Sequence, residues 1–504
     1  MAQSFTSNIS FTLVDKIFGA VSSIVLTPFI IYCLGMELYG VWVLLISISS
    51  YFLLAQFGLN AALFKYVAEY RAKNDNASMA SLVVTGFILL LGISISIFIV
   101  SFPIGILTFR VLLKKQLASA SFFMFIVLIV SICVTLIDQL CSSILLGFQK
   151  FGSMAIISII SRLVSILVII IGLLLHYKIQ VLVFANIAMA VTMLLLHFFF
   201  CSKLLKGIPF SFRLFDLKIA KSFWGFGAKL QVSLVFTWIA QNFDKILIGK
   251  FFGSSIVGFY DIGSRLIMFI REIPIVAFVV LLPRMSALHA LNKMEQLWKI
   301  YLAGTKITFA FVGMGLGLLI PVAPSLIMLW LHATPNPLSV SVFQVIGIGS
   351  ISALITGVGS TVGQGIGKPH FEAISNSLAI AVNITVSCLL LLFFGIKGVA
   401  WGTCFAYLVH LCFFTYLINR EGRISNLKFL LENVPVPVFV CVMCISAGLF
   451  LNWAFSRFTF SNLYFGSVVI VVTQIIVVLV LALPIYFYYK YIPRELIVSL
   501  LKKH

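Results

Sequence analysis

The sequence predicts an all-α integral membrane protein of about 14 transmembrane helices, in two six-helix lobes related by a parallel internal repeat, with two further helices at the C-terminal end. Three observations predict it. Hydrophobic residues fill 62% of the 504 positions and mean hydropathy is +1.17, while only 10% of residues are charged. The apolar residues gather into runs long enough to cross a bilayer. Glycine and aromatic positions in the first half recur in the second at a constant offset.

A soluble chain of this size must hydrate its exterior and cannot hide so much carbon. A bilayer core accepts it, provided each span supplies about 20 apolar residues in a helix that satisfies its own backbone. The formal net charge of +20 would suggest nucleic acid in a soluble protein. Here Lys and Arg sit mainly in short loops between apolar runs, the pattern of the positive-inside rule, so nucleic acid is set aside as a partner. Residues 1–10 are polar, without a basic n-region or a small-residue cleavage site, so no cleavable signal is expected. The nine cysteines lie in or at the ends of apolar segments, away from where a disulfide framework would be needed. Cys441 and Cys444 form a CxxC inside an apolar helix without other ligands, and read as small packing residues.

In chain order the expected spans are 11–34, 39–58, 79–108, 118–146, 153–175 and 179–201, then 225–249, 257–282, 303–329, 338–362, 371–394 and 397–418, and finally 434–455 and 463–489. The fifth and sixth are separated only by His176 to Lys178, which implies a tight helical hairpin. Loops on the N-terminal side hold twenty Lys and Arg, concentrated at 65–73, 203–221, 284–299 and 420–428. The opposite side holds seven: Arg110, Lys114, Lys115, Lys178, Lys250, Lys397 and Arg457. With an even number of spans, this bias puts both termini in the cytoplasm. Gly35, Gly40 and Trp42 are matched in the second half by Gly253, Gly258 and Tyr260, and Gly147 and Lys150 are matched at the same offset by Gly365 and Lys368. Six spans per copy means that both copies enter the membrane in the same direction. The expected divisions are an N-terminal lobe at 1–202, a basic cytoplasmic linker at 203–224, a C-terminal lobe at 225–418 and the last two spans at 434–489. Two such lobes facing each other would enclose a central cavity suited to alternating access.

Twelve ionisable residues fall within or at the edge of these spans: Asp15, Lys16, Asp138, Arg162, Lys229, Asp244, Lys245, Asp261, Arg265, Arg271, Glu272 and Lys306. Facing any of them to lipid is costly, roughly 2.5–3.5 kcal/mol for Arg, Lys or Asp near a helix centre, so they pair or line a hydrated path. Seven are cationic and five anionic, and the surplus points to an anionic cargo. In the eighth span Asp261, Arg265, Met268 and Glu272 share one helix face, either lining an aqueous cavity or forming an intrahelical ion-pair ladder. Arg271 lies off that face, toward a neighbouring helix.

Enzymatic motifs fail on inspection. Gly363 to Lys368 resembles a phosphate loop, but Val362 stands where a glycine is required and Pro369 follows the lysine. The segment ends a span and reads as a helix-terminating loop. The histidines lack metal-ligand spacing, and no HExxH, GxSxG or ATPase module is present. The chain is therefore read as a transporter rather than an enzyme.

Leu34 to Gly40 (LGMELYG) resembles the LGxxxYG turn between the first two spans of bacterial polysaccharide exporters. Phe57 to Arg71 is similar to the segment that closes their second span. Asp244 to Gly249 (DKILIG), followed by Gly258-Phe259-Tyr260, resembles their seventh-to-eighth span signature. The resemblance is to the polysaccharide and O-antigen flippases of the multidrug/oligosaccharidyl-lipid/polysaccharide exporter superfamily. It implies a multi-pass protein of the bacterial cytoplasmic membrane that moves a polyprenyl-pyrophosphate-linked oligosaccharide to the outer leaflet, the tail remaining among membrane lipids. Polysaccharide polymerase and glycosyltransferases are the implied partners. The alternative is a cation-coupled small-molecule or drug antiporter of the same superfamily, for which an acidic, aromatic cavity is expected; the basic surplus favours the flippase.

Under that reading Lys16, Arg162, Lys229, Arg265 and Arg271 contribute to the anionic cargo site, with Arg265 foremost, since Arg grips a pyrophosphate with two parallel bonds. No cofactor is expected. The resemblance implies an ion gradient as driver, with Na⁺ or H⁺ as coupling ion. Asp244, Asn376, Asn383 and Thr403 supply one carboxylate and neutral oxygens for it; the alternative is that Asp244 pairs with a neighbouring cation such as Lys229 or Arg265 and the asparagines bond between helices.

Overall fold

The computed structural model describes residues 2–56, 58–112, 115–279, 281–457, 463–489 and 491. These residues are helical almost throughout and include no strand. Hydrocarbon offers no water to unpaired N–H and C=O groups, so a chain this apolar must close its hydrogen bonds within each segment. Eleven helices among the described residues are long and apolar enough to cross a membrane, which makes this an all-α, multi-pass integral membrane fold. The expected seventh and eighth spans fall on helices that are not among the eleven, the eighth carrying Asp261, Arg265, Arg271 and Glu272.

The chain divides into two compact units, Met1–Gly258 and Phe259–His504. The first contains α1 (Ala2–Ser50), α2 (Leu59–Lys73), α3 (Asn76–Leu112), α4 (Lys115–Gly147), α5 (Phe151–Leu174), α6 (Gln180–Leu204) and α7 (Leu217–Phe252). α1 is broken at Gly35, whose φ of 75° and ψ of 169° lie outside what a side chain tolerates, so the first two expected spans meet at a glycine. α4 is the centre of this unit, packing on α2, α3 and α6. Phe125, Ile129 and Leu136 of α4 are buried in one cluster with Val41 and Leu45 of α1. The segment read as a basic cytoplasmic linker is tied to α3. Ser81 Oγ donates to the Leu214 carbonyl (2.7 Å), and the Asp216 N–H donates to Thr85 Oγ1 (3.0 Å). Asp216 then caps α7 by accepting from the Lys218 N–H (2.6 Å), and α7 packs on α1, α2 and α3.

Small residues set the closest approaches. A Cβ on Gly40 would collide with the Ser254 carbonyl, and one on Gly258 would meet Met36 at 2.8 Å from Sδ, so the second half of α1 crosses residues 254–258 backbone to backbone. This is what the paired glycines of the sequence motifs do.

The helix α8 (Ser254–Val279) leads into the second unit, followed by α9 (Leu282–Ala290), α10 (Met294–Leu331), α11 (Pro337–Ser352), α12 (Thr356–Gly365), α13 (His370–Phe394), α14 (Ile396–Glu421), α15 (Asn426–Asn433), α16 (Pro435–Phe455) and α17 (Leu463–Tyr488). The expected span at 338–362 is interrupted by a 3₁₀ turn at Ala353–Ile355. α13 and α14 form a tight hairpin, with Gly402 packed where a Cβ would strike Ser387. α10 packs on α16 and α17, where the Gln474 amide donates to the Gly317 (3.1 Å) and Cys444 (3.0 Å) carbonyls. Large apolar side chains such as Leu392 and Phe393 (each 77% exposed) face outward, as lipid-facing residues do.

Backbone breaks recur at the offset of the sequence repeat. Gly253 (φ 85°, ψ 172°) repeats Gly35, Asn292 (φ 53°) repeats Asn74 (φ 51°), and Gly367 (φ 76°) repeats Gln149 (φ 57°). Helix ends follow, since α3 and α10 begin at Asn76 and Met294, and α4 and α12 end at Gly147 and Gly365.

Gly402→Leu is expected to lower the thermal midpoint of the detergent-purified protein, at a cost of roughly 1–3 kcal/mol for overpacking. Gly92→Leu, where nothing lies within 4 Å of the added Cβ, should leave the midpoint unchanged or raise it. Equal effects at the two positions would contradict the small-residue contact.

Candidate functional site

The charged groups expected to act together are distributed over both units. In the first, Asp15 and Lys16 of α1 approach α5. Ser158 Oγ donates to Asp15 Oδ1 (2.6 Å), and Arg162 Nε stands 3.9 Å from the same oxygen. That separation is an ion pair without a direct hydrogen bond, and Arg162 Nε makes none among the described residues. The guanidinium occupies the space that a Cβ on Gly19 would need, so the smallest side chain opens its slot between α1 and α5. Lys16 is exposed. Lys229 falls in α7, and its side chain lies outside the described residues.

In the second unit, Arg265 Nε donates to Asp261 Oδ2 at 2.8 Å, one turn back on α8, where Asp261 is only 1% exposed. Of the two readings of this face, the intrahelical ion pair is present for its first turn. Arg265 is thus largely spent on neutralising Asp261. Arg271, which sequence spacing put off this face, packs against α14. Its guanidinium lies 5.2 Å from the centroid of the Tyr407 ring, and Nη1 is 3.9 Å from Met268 Sδ. Among the described residues no carboxylate comes within ion-pair distance of Arg271, and its Nε makes no hydrogen bond. A turn along α14, His410 lies within electrostatic reach of Arg271 and of Glu372 on α13, and shares a 3.0 Å hydrogen bond with Ser375 Oγ. Glu372 accepts from Ser360 Oγ (2.6 Å). The group with charge to spare is therefore Arg271 rather than Arg265.

The residues expected to hold a coupling ion divide likewise. Asp244 is buried in the first unit, at 5% exposure, within electrostatic reach of Tyr51. Asn376, Asn383 and Thr403 belong to the second. There the Asn383 amide donates to Thr403 Oγ1 (3.1 Å), and Asn383 Oδ1 is buried without a hydrogen bond among the described residues. Asn376 is half-buried on the same helix.

The phosphate-loop look-alike ends α12, and its Lys368 pairs with Glu421 (2.6 Å). A cavity of about 530 Å³ in the second unit is lined by α10, α11 and α14 to α16, including Phe309, Leu316, Leu411, Phe429 and Val438. Its lining is mostly apolar, with Ser352, Thr415, Tyr416, Asn419 and Asn426 as polar members, and Asn419 is linked to Tyr301 and Asn426 by hydrogen bonds of 2.8 and 2.9 Å. Among the described residues no Lys or Arg lines it.

The fold is a multi-pass membrane architecture with ionisable residues placed on its helices. Among solved structures, a lipid II flippase, MurJ, in an inward closed conformation aligns over 96% of this chain and 99% of its own with a TM-score of 0.73 and 16% identity. An inward-facing multidrug resistance MATE transporter of the MOP superfamily aligns over 82% of this chain and 96% of its own with a TM-score of 0.67 and 16% identity. A MOP superfamily transporter from Pyrococcus furiosus gives 0.59 at 16% identity, over 84% and 96%. The chain belongs to the family described as polysaccharide biosynthesis protein, whose family model matches residues 1–289. A Shigella flexneri protein described as an O-antigen transporter is 23% identical over 282 residues, 54% of this chain; the chain spans 65% of that relative's length.

Tyr407 and His410 were not legible as site residues, because nothing near them in sequence marks them as neighbours of Arg271. Removing Arg265 takes this ion pair from the buried Asp261 carboxylate, which should cost roughly 1–3 kcal/mol. Arg265→Ala is therefore expected to lower the melting temperature, Asp261→Asn/Arg265→Gln to restore most of it, and Arg271→Ala to lower it less. A larger loss from Arg271→Ala would reverse the assignment of the paired and unpaired arginines.

Proposed function

We propose that this protein is a flippase that moves a polyprenyl-pyrophosphate-linked oligosaccharide from the cytoplasmic to the outer leaflet of the bacterial cytoplasmic membrane by alternating access, with both termini cytoplasmic. The observation that carries the reading is Arg271, an arginine on α8, the helix that the sequence reads as the eighth span, stacked on Tyr407 with no carboxylate paired to it among the described residues. Membership of a polysaccharide biosynthesis family and the likeness to an O-antigen transporter support it. A pyrophosphate cannot enter hydrocarbon without something to replace its hydration, and a guanidinium pre-oriented on an aromatic ring does so with parallel N–H donors. Arg162, loosely held by Asp15, and Lys16 and Lys229 are assigned to the same task, with Arg265 in support. The recurrence of backbone breaks at one constant offset supports two six-span copies of like direction, with α16 and α17 outside them, for 14 spans in all. Glycosyltransferases would supply the cargo and a polysaccharide polymerase would consume it.

In proteoliposomes holding the purified protein, a polyprenyl-pyrophosphate-linked oligosaccharide should become accessible to an impermeant lectin on the opposite face. Arg271→Ala should slow this at least about tenfold, equivalent to one lost charge-assisted bond of ~1.4 kcal/mol or more, and Arg271→Lys should rescue it only in part. Transfer no faster than in protein-free vesicles, together with extrusion of organic cations, would instead identify the small-molecule antiporter, the reading to which the MATE-like fold also lends support.

The coupling ion, Na⁺ or H⁺, is assigned to Asp244, whose buried carboxylate in the first unit supports the assignment. Transport should respond to Na⁺ or to pH in the wild type and lose that response in Asp244→Asn. A variant that keeps the full response would move the site elsewhere.

A further inference from the structure

Asp138 and His197 stand apart from every residue assigned above. Asp138 lies near the C-terminal end of α4 and His197 near that of α6, two helices packed along their length in the first unit. Their side chains are joined by a 2.7 Å hydrogen bond between His197 Nδ1 and Asp138 Oδ1. The residues are 4% and 1% exposed, and His197 Nε2 is buried without a hydrogen bond among the described residues. The buried cluster that α4 and α6 share just beyond the pair is apolar, with Leu140, Cys141, Ile144 and Leu145 of α4 and Cys201 of α6 among its members.

We propose that Asp138 and His197 form a proton-binding site within the first unit, with Nε2 of His197 as the acceptor. Nδ1–H donates to the carboxylate, which fixes the tautomer and leaves the lone pair on Nε2. In that state the dyad carries one negative charge inside a membrane span. Hydronium gives a proton to the Nε2 lone pair, an N–H bond forming as one O–H bond breaks and water leaves, and the result is an imidazolium facing a carboxylate with zero net charge. Hydrocarbon penalises a lone charge far more than a hydrogen-bonded neutral pair, so the site's occupancy by the proton is coupled to how well the surroundings solvate it.

Among the described residues no other side chain forms an ion pair with the dyad. Cys141, one turn beyond Asp138, and Cys201, one turn beyond His197, are its titratable neighbours, and Cys201 Sγ donates to the Cys141 carbonyl at 3.1 Å. On α2, Tyr66 and Tyr70 pack on the same apolar cluster as these cysteines, and Arg71 donates to the Gly147 carbonyl (3.3 Å) at the end of α4. On α5, Arg162 faces Asp15 of α1. α3 carries Arg110 alone, close to its C-terminal end. A proton is therefore the cation chemically matched to this pair. Its role as a coupling ion rests on the flippase reading, and its binding does not.

Two measurements separate these. Infrared difference spectra of the cargo-free, full-length protein across a pH titration should contain an imidazolium signal that is absent in His197→Gln and altered in Asp138→Asn. Its absence from the wild type would overturn the site. In proteoliposomes, one unit of imposed pH gradient should shift the leaflet distribution of a polyprenyl-pyrophosphate-linked oligosaccharide by up to about tenfold per coupled proton. The shift should fall to about 1 in both single variants and in Asp138→Asn/His197→Gln, which keeps an amide pair in place of the dyad should either single variant fold poorly. Variants that follow the gradient as the wild type does would also overturn the proposal. A wild-type protein that gives the imidazolium signal but moves no lipid-linked cargo would sink the flippase reading and leave the proton site standing.

Discussion

The cost of placing charge in hydrocarbon organises this molecule. Helix closes the backbone and leaves only side chains to be accommodated, and several of the charged ones along these helices are dealt with locally. Asp261 takes Arg265 one turn away on its own helix, Asp15 takes Ser158 and Arg162 from the adjoining helix, and Asp138 takes His197. Arg271 is handled differently, by an aromatic face and a thioether rather than by an anion. Such a contact places the cation on the negative face of a ring without an anion taking up its charge.

Packing within each unit follows from the same solvent. Lipid is as apolar as leucine, so helices gain little from burying carbon against one another. They gain instead from close backbone approach and shared polar groups. The α13–α14 hairpin does both, with Gly398 and Gly402 against Leu390 and Ser387 and the Asn383–Thr403 bond a turn away. Gln474 does the same for three helices, one amide bonding carbonyls of α10 and α16 from α17. A hydroxyl or amide that would be a liability in a soluble core is here a joint.

Much of this was legible in advance because hydropathy is a one-dimensional signal. The glycine turn at Gly35 and the apolar runs that form α3 to α6, α10, α13, α14, α16 and α17 can be read directly from the chain. The polar helices cannot. α2, α9 and α15 are too charged or too short to register as apolar runs, and hydropathy alone does not separate them from loops. The path of 203–216 depends on single hydrogen bonds to Ser81 and Thr85, partners remote in sequence. At the candidate site, the i, i+4 spacing of Asp261 and Arg265 is visible, but spacing alone does not say whether an arginine is spent on its neighbour or free for another anion. That depends on Tyr407, which becomes a neighbour of Arg271 only through the packing of α8 on α14.

The slot that Gly19 opens for Arg162 ties two positions on different helices, far apart in sequence, to one steric condition. Size at 19 and charge at 162 are then not independent characters. Among homologues, a bulkier residue at the first position is compatible only with a shorter or differently directed side chain at the second, so the two columns of an alignment would vary together. The coupling would be read as electrostatic from the arginine's side, yet its cause is the volume of a single methyl group.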